Sequence, residues 1–167
     1  QNGYGLDIYS ENTANIIREK TKSPQSRVHL VSGGTQANLI VISSILRPHE
    51  SVVSANTGHI FTNETGAIEA TGHKVHGVET KDGKLRPEDI QNVLDVHTNV
   101  PHQVKQKLVY ISNSTEVGTI YTKKELENLS EFCKKKNLYL FMDGARLGHA
   151  LTAKSNDVTW EDVAKLT

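Results

Sequence analysis

Short apolar runs alternate along the chain with stretches whose apolar positions recur at helical spacing. Val28 to Val31 reads as a strand. Gly33-Gly34 then opens a helix over Thr35 to Leu46, carrying Ala37, Leu39, Ile40, Val41, Ile42, Ile45 and Leu46. A helix apolar on so many sides is expected to be buried on most of them. Arg47-Pro48 ends it, because a residue before proline is pushed out of the helical region. Ser51 to Ser54 is a second strand. Thr62 to Thr71 has helical composition with Gly72 as its stop, and His73 to Val78 is a third strand. Lys81-Asp82-Gly83 is turn chemistry. Pro87 starts a helix whose Ile90, Val93 and Leu94 form a stripe to about Asp95, and Thr98 to Lys105 is a polar loop. Lys107 to Ser112 is a strand. Thr122 with Glu125 makes a capping box, and the helix behind it places Leu126, Leu129, Phe132 and Cys133 on one face. Leu138 to Met142 is a nearly continuous apolar strand. Thr159 and Asp162 form a further capping pair, with Trp160 and Val163 on one helix face.

Strands apolar on both faces and separated by helices imply a parallel sheet covered on both sides. The fold class is therefore α/β, mostly parallel, with right-handed crossovers. In such sheets, ligands sit outside the carboxyl ends of the strands. That rule selects four places: the Ser32–Asn38 turn, the Asn56–Glu64 loop, the Asn113–Gly118 loop and the Asp143–Arg146 turn.

Composition narrows the function. The 167 residues suit a single domain. Nineteen Lys and Arg balance nineteen Asp and Glu. A net charge of zero argues against nucleic acid or an anionic membrane as partner. No window approaches the ~20 apolar residues of a membrane span, and no signal-peptide pattern opens the chain. The single cysteine excludes an internal disulfide framework or a Cys-rich zinc site. The expectation is a soluble enzymatic domain of a reducing compartment, the cytoplasm, acting on a small molecule. The first residue is Gln1 and the last six fall inside a helical pattern, so a piece of a longer protein is expected.

The four places differ in chemistry. Ser32 to Asn38 joins a strand to a helix, and Gly33-Gly34 lets backbone N–H groups approach a ligand closely. The helix N-terminus adds unpaired donors and partial positive charge, and Thr35 adds a hydroxyl, which together make an anion cradle. The turn matches neither G-x-x-x-x-G-K-[ST] nor G-x-G-x-x-G; its alternative is a mere tight turn. Asp143-Gly144-Ala145-Arg146 follows the most hydrophobic strand. Its carboxylate suits a protonated heterocycle nitrogen or a metal, and Arg146 offers a planar donor fork to an anion. The alternative is an aspartate capping the next helix. His59, with Glu64 one to two turns on, suits stacking on a planar ligand or acid–base work; otherwise it is a surface residue. His73 and His76 stand at odd spacing on a strand, so their rings face opposite ways and a metal site there is not expected. Cys133 reads as core.

Together these segments resemble the threonine aldolase / β-eliminating lyase family. Its members are pyridoxal-phosphate (PLP) enzymes of the aspartate-aminotransferase fold type. The resemblance is carried by Tyr4-Gly5, Gly34-Thr35-Gln36-Ala37-Asn38, Gly58-His59 with Glu64-Thr65-Gly66-Ala67, and Asp143-Gly144-Ala145-Arg146, in the family's order through nearly the whole chain. It implies that Gly34 and Thr35 hold the PLP phosphate and that His59 stacks on the pyridine ring. It implies that Asp143 pairs with the pyridine nitrogen and that Arg146 contacts the cofactor or the substrate carboxylate. Glu64 lies near the family's acidic residue beside the stacking histidine. The implied reaction cleaves a β-hydroxy amino acid such as L-threonine to glycine and an aldehyde. The family also needs a lysine that bonds PLP covalently. Lys165 lacks that lysine's context and reads as a surface residue, so residues 1–167 are expected to be part of a PLP-binding large domain, inactive alone. No role is assigned to Asn113–Gly118. Two other readings stay open: β-elimination on the same scaffold, and a non-catalytic binding or assembly module. Family members imply a homo-oligomer for the full-length protein.

Overall fold

The computed structural model describes residues 5–99 and 101–167, so Tyr4 lies outside the described residues. Helices α1 (Ile8–Thr21) and α2 (Gly34–Ile45) precede strand β1 (Glu50–Ala55). Helix α3 (His59–Thr62) and a 3-10 turn (Glu69–Thr71) lead to β2 (Val75–Val78). Then follow α4 (Pro87–Val96), β3 (Lys105–Ser112), α5 (Lys123–Lys135), β4 (Tyr139–Asp143), α6 (Leu147–Thr152) and α7 (Trp160–Leu166). The four strands form one sheet in the order β2-β1-β3-β4, every pair parallel. The register aligns Val53 with His76 and Val109, and Ser112 with Asp143.

Side-chain alternation splits the core into two layers. Val53, Ala55, Val109 and Ile111 pack with Ile90, Leu126, Leu129 and Cys133 under α4 and α5. Val52, Val75, Leu108 and Tyr110 pack with Ile42, Leu46, Ile60 and Ile68 under α2 and α3. The parallel α/β sheet with helices on both faces is therefore the fold, as the apolar runs implied. Cys133 sits in the first layer, and burial pushes its thiol up to about 12. Among the described residues, no helix is long and apolar enough to cross a membrane.

The structure corrects several local expectations. Val28–Val31 forms no strand: it pairs with none of the four strands, and an extended segment without a partner gains no ladder. Helix α2 is buried on one side only, through Asn38 and Ile42, while Ile40 stays exposed; the sheet covers one face of a helix and no more. The 62–71 segment breaks at Thr65 and Gly66, whose φ of 50° and 79° lie in the left-handed region and interrupt the helical turn. Strand β4 is an edge strand and only half-buried. Helix α1, given no element by the pattern, starts because Asp7 caps it by accepting from the N–H groups of Tyr9 and Ser10.

Candidate active site

The α2–α3 side of the sheet carries every group that matters here. Tyr110 on β3 and Phe141 on β4 are paired residues, and their rings meet edge to face at 5.7 Å. Two residues further along β4, on the same face, stands Asp143, the last residue of the strand. Tyr110 Oη donates to Asp143 Oδ2 at 2.7 Å, and the N–H of Ala145 donates to Oδ1 at 2.9 Å. From α2 above, Asn38 Nδ2 donates to the same Oδ2 at 3.3 Å and to Glu64 Oε1 at 2.7 Å. His59 Nδ1, on the first turn of α3, meets Glu64 Oε1 at 2.9 Å. Five residues from four elements and one loop thus form one continuous network: His59, Glu64, Asn38, Asp143 and Tyr110.

Burial within the network is graded. Asn38 and Glu64 are buried, and Glu64 Oε2 has no partner. The His59 side chain is 36% exposed, so one ring nitrogen is tethered while Nε2 and a ring face stay reachable. Burial and the neighbouring Asp143 carboxylate both raise the Tyr110 hydroxyl above the ordinary phenol range. Tyr110 therefore stays protonated and remains a donor. Among the described residues, neither Asp143 nor Glu64 forms a salt bridge with a lysine or arginine. One amide thus bridges two carboxyl groups that have no lysine or arginine partner among the described residues.

An open groove of about 400 Å³ runs beside this network, lined by Val31, Gly33, Gly34, Ala37, Asn38 and residues 141–145. Its volume suits a small molecule. At one end lies the N-terminus of α2, which no side chain caps. A Cβ on Gly33 or Gly34 would meet nothing within 4 Å, and the φ of 178° at Gly33 is open to any residue. Nothing in the chain's own packing asks for glycine here. A larger hollow, about 610 Å³, lies between α1 and residues 28–30. It holds no part of the network and lies away from the strand ends, so we place the site in the smaller groove.

The structure brings Gly34, His59, Glu64 and Asp143 to one neighbourhood. Thr35 is exposed on the first turn of α2. Arg146 turns aside: its Nε donates to the Ser114 carbonyl at 3.1 Å and its Nη2 pairs with Glu116 Oε1 at 2.8 Å. Ser112 Oγ donates to the same Glu116 oxygen at 2.7 Å. The Asn113–Gly118 loop thus fixes Arg146, a role its sequence did not reveal. Asn38 and Tyr110 were also missed. A lone amide inside the apolar run of α2 was the available signal for Asn38. Tyr110 had none, because tyrosine is an ordinary strand residue. Lys165 is exposed on α7, whose Val163 and Leu166 pack in the opposite layer.

The beta-eliminating lyase family model matches residues 8–165. The chain belongs to that family. Its relatives include the low specificity L-threonine aldolase of a Pseudomonas species, 33% identical over 96% of this chain and 47% of that protein. The low specificity L-threonine aldolase of Pseudomonas aeruginosa is 30% identical over the same shares. Among solved structures, a threonine aldolase of Leishmania major superposes with a TM-score of 0.97 at 54% identity. That match covers 99% of this chain and 48% of the other. The chain spans about half the length of the family members it matches. The family resemblance carried by the Gly34–Asn38, Gly58–Ala67 and Asp143–Arg146 segments is therefore correct.

Proposed function

We propose that this chain forms the cofactor-binding part of a PLP-dependent threonine aldolase. The observation that carries the reading is Asp143. It ends an edge strand, accepts from three groups, has no cationic partner among the described residues, and faces the same groove as an uncapped helix N-terminus. A carboxylate has about four acceptor positions, so one remains for a protonated pyridine nitrogen. The group fits the rest of the donor set. Backbone N–H groups at Gly34 and the Thr35 hydroxyl suit its phosphate. The His59 ring suits its aromatic face. Arg146 has donors beyond its two bonds to residues 114 and 116 for the cofactor or the substrate carboxylate. Bound PLP supplies an electron sink for the pair released at the substrate α-carbon. The chain's own part is to hold the ring nitrogen protonated through Asp143, to hold the phosphate at α2, and to keep His59 Nε2 free as a proton-accepting group.

Relatives named threonine aldolases support cleavage of a β-hydroxy amino acid such as L-threonine to glycine and an aldehyde. β-Elimination on the same scaffold is the contrasting outcome. In the full-length protein, which we take to be a homo-oligomer, L-threonine should yield glycine and acetaldehyde; release of ammonia with a keto acid would replace the aldolase reading by elimination. A PLP titration of the full-length protein carrying Asp143→Ala tests the site itself. Loss of one charge-assisted bond should weaken binding roughly ten- to a hundredfold. Wild-type affinity in the variant would remove Asp143 from the site.

A further inference from the structure

Asn38 joins two halves of the site that no other side chain among the described residues connects. Its amide nitrogen lies within hydrogen-bond reach of two carboxylates, Glu64 Oε1 at 2.7 Å and Asp143 Oδ2 at 3.3 Å. A carbonyl oxygen in that place would face two acceptors, so the NH2 orientation is the one the chemistry permits. Asn38 is 2% exposed, and Glu64 Oε1 also receives His59 Nδ1. Helix α2 brings no titratable residue of its own; the titratable groups in the network are His59, Glu64, Asp143 and Tyr110.

We propose that Asn38 is a positioning residue of the cofactor site. It gives one N–H to each carboxyl group and so fixes Asp143 for the ring nitrogen and Glu64 for His59 in a single spacing. The inference rests on the cofactor reading above but concerns a residue that need not touch the cofactor. Facing an acceptor oxygen of Glu64 at 2.9 Å, Nδ1 is the ring nitrogen that carries a hydrogen, and Nε2 points away from the network's carboxyl groups. The raised Tyr110 hydroxyl completes the arrangement by remaining a donor to Asp143.

Asn38→Asp keeps the shape of the side chain and replaces the double donor by an acceptor. It sets a third carboxylate between two others, and like charges at that range resist joint ionisation. In the full-length protein near neutral pH, its PLP dissociation constant should rise at least about tenfold. Binding should recover in part on acidification, because protonation of the introduced carboxylate restores one donor. Asn38→Ala should lose affinity with no such pH-dependent recovery. A residue that only packs would let Asn38→Asp bind within about twofold of wild type at every pH, and that result overturns the proposal. If wild type itself fails to bind PLP, the cofactor reading falls instead. A second measurement needs no Asn38 variant and no cofactor: nitrogen-15 NMR of His59 in the apo wild-type protein, assigned with His59→Gln. The proposal expects the Nδ1–H tautomer, and an Nε2–H tautomer contradicts it.

Discussion

Ser51 Oγ and Gln106 Nε2 both reach Nε2 of His76, at 3.1 and 3.3 Å, and the His97 ring stands edge-on at 4.5 Å. Burial, then His97 and Lys74, lower the pKa of His76 from 6.5 to about 4. The folded protein therefore resists a proton that the unfolded chain accepts below pH 6.5. Stability is unaffected above that value, falls as pH drops from 6.5 toward about 4, and changes no further from this source below it. His76→Gln should lose less stability than wild type between about pH 7.5 and about pH 4.5, read as the shift in urea midpoint. Equal acid losses would show that His76 is not the group responsible. Sequence alone assigned His73 and His76 to opposite faces of one strand; His73 instead precedes β2, and the two use separate partners, Glu50 O and Ser51 Oγ. Placement was legible where it follows from a residue's own position in the chain: an aspartate ending a strand, a histidine after a strand. It was not legible for Asn38 and Tyr110, whose contacts lie far along the chain: Asn38 with Glu64 and Asp143, 26 and 105 residues away, and Tyr110 with Asp143, 33 away.

At the scale of the element, local signals predicted boundaries where they were self-contained. Thr122 and Glu125 cap α5 reciprocally, as do Thr159 and Asp162 for α7, each cap being worth about 1 kcal/mol. Val28–Val31 failed because a strand is a property of a pair, and apolar composition does not supply the partner. Helix α3 was misplaced because its start depends on a tight approach at Gly58. A Cβ there would collide with Ser54 Oγ and stand 3.0 Å from the Ala55 carbonyl oxygen. Ser54 can rotate, but the carbonyl is fixed in the turn that Gly58 N–H closes on Ala55 O at 2.8 Å. Gly58→Ala should therefore cost about 1–3 kcal/mol and shift His59, the next residue. Thermal unfolding and PLP titration together check this: a variant as stable as wild type, with unchanged PLP affinity, would show that the β1–α3 turn absorbs the methyl group.

For the molecule as a whole, parallel topology decides how the site is assembled. The layers were legible because apolar runs and capping boxes alternate; the exposure of β4 and of one side of α2 was not, because it depends on which elements neighbour them. The network described above mixes contacts of very different sequence span. His59 and Glu64 are five residues apart, whereas Asn38 and Asp143 are 105 apart. Closing long loops is entropically costly and slow relative to local pairing. The His59–Glu64 contact can therefore form early in folding, while the Asn38–Asp143 contact closes only after β1, β3 and β4 have taken their order. On the proposed cofactor reading, PLP binding then becomes a clock for folding. In refolding from denaturant, competence to bind PLP should emerge with the slowest phase, after most helical signal has returned.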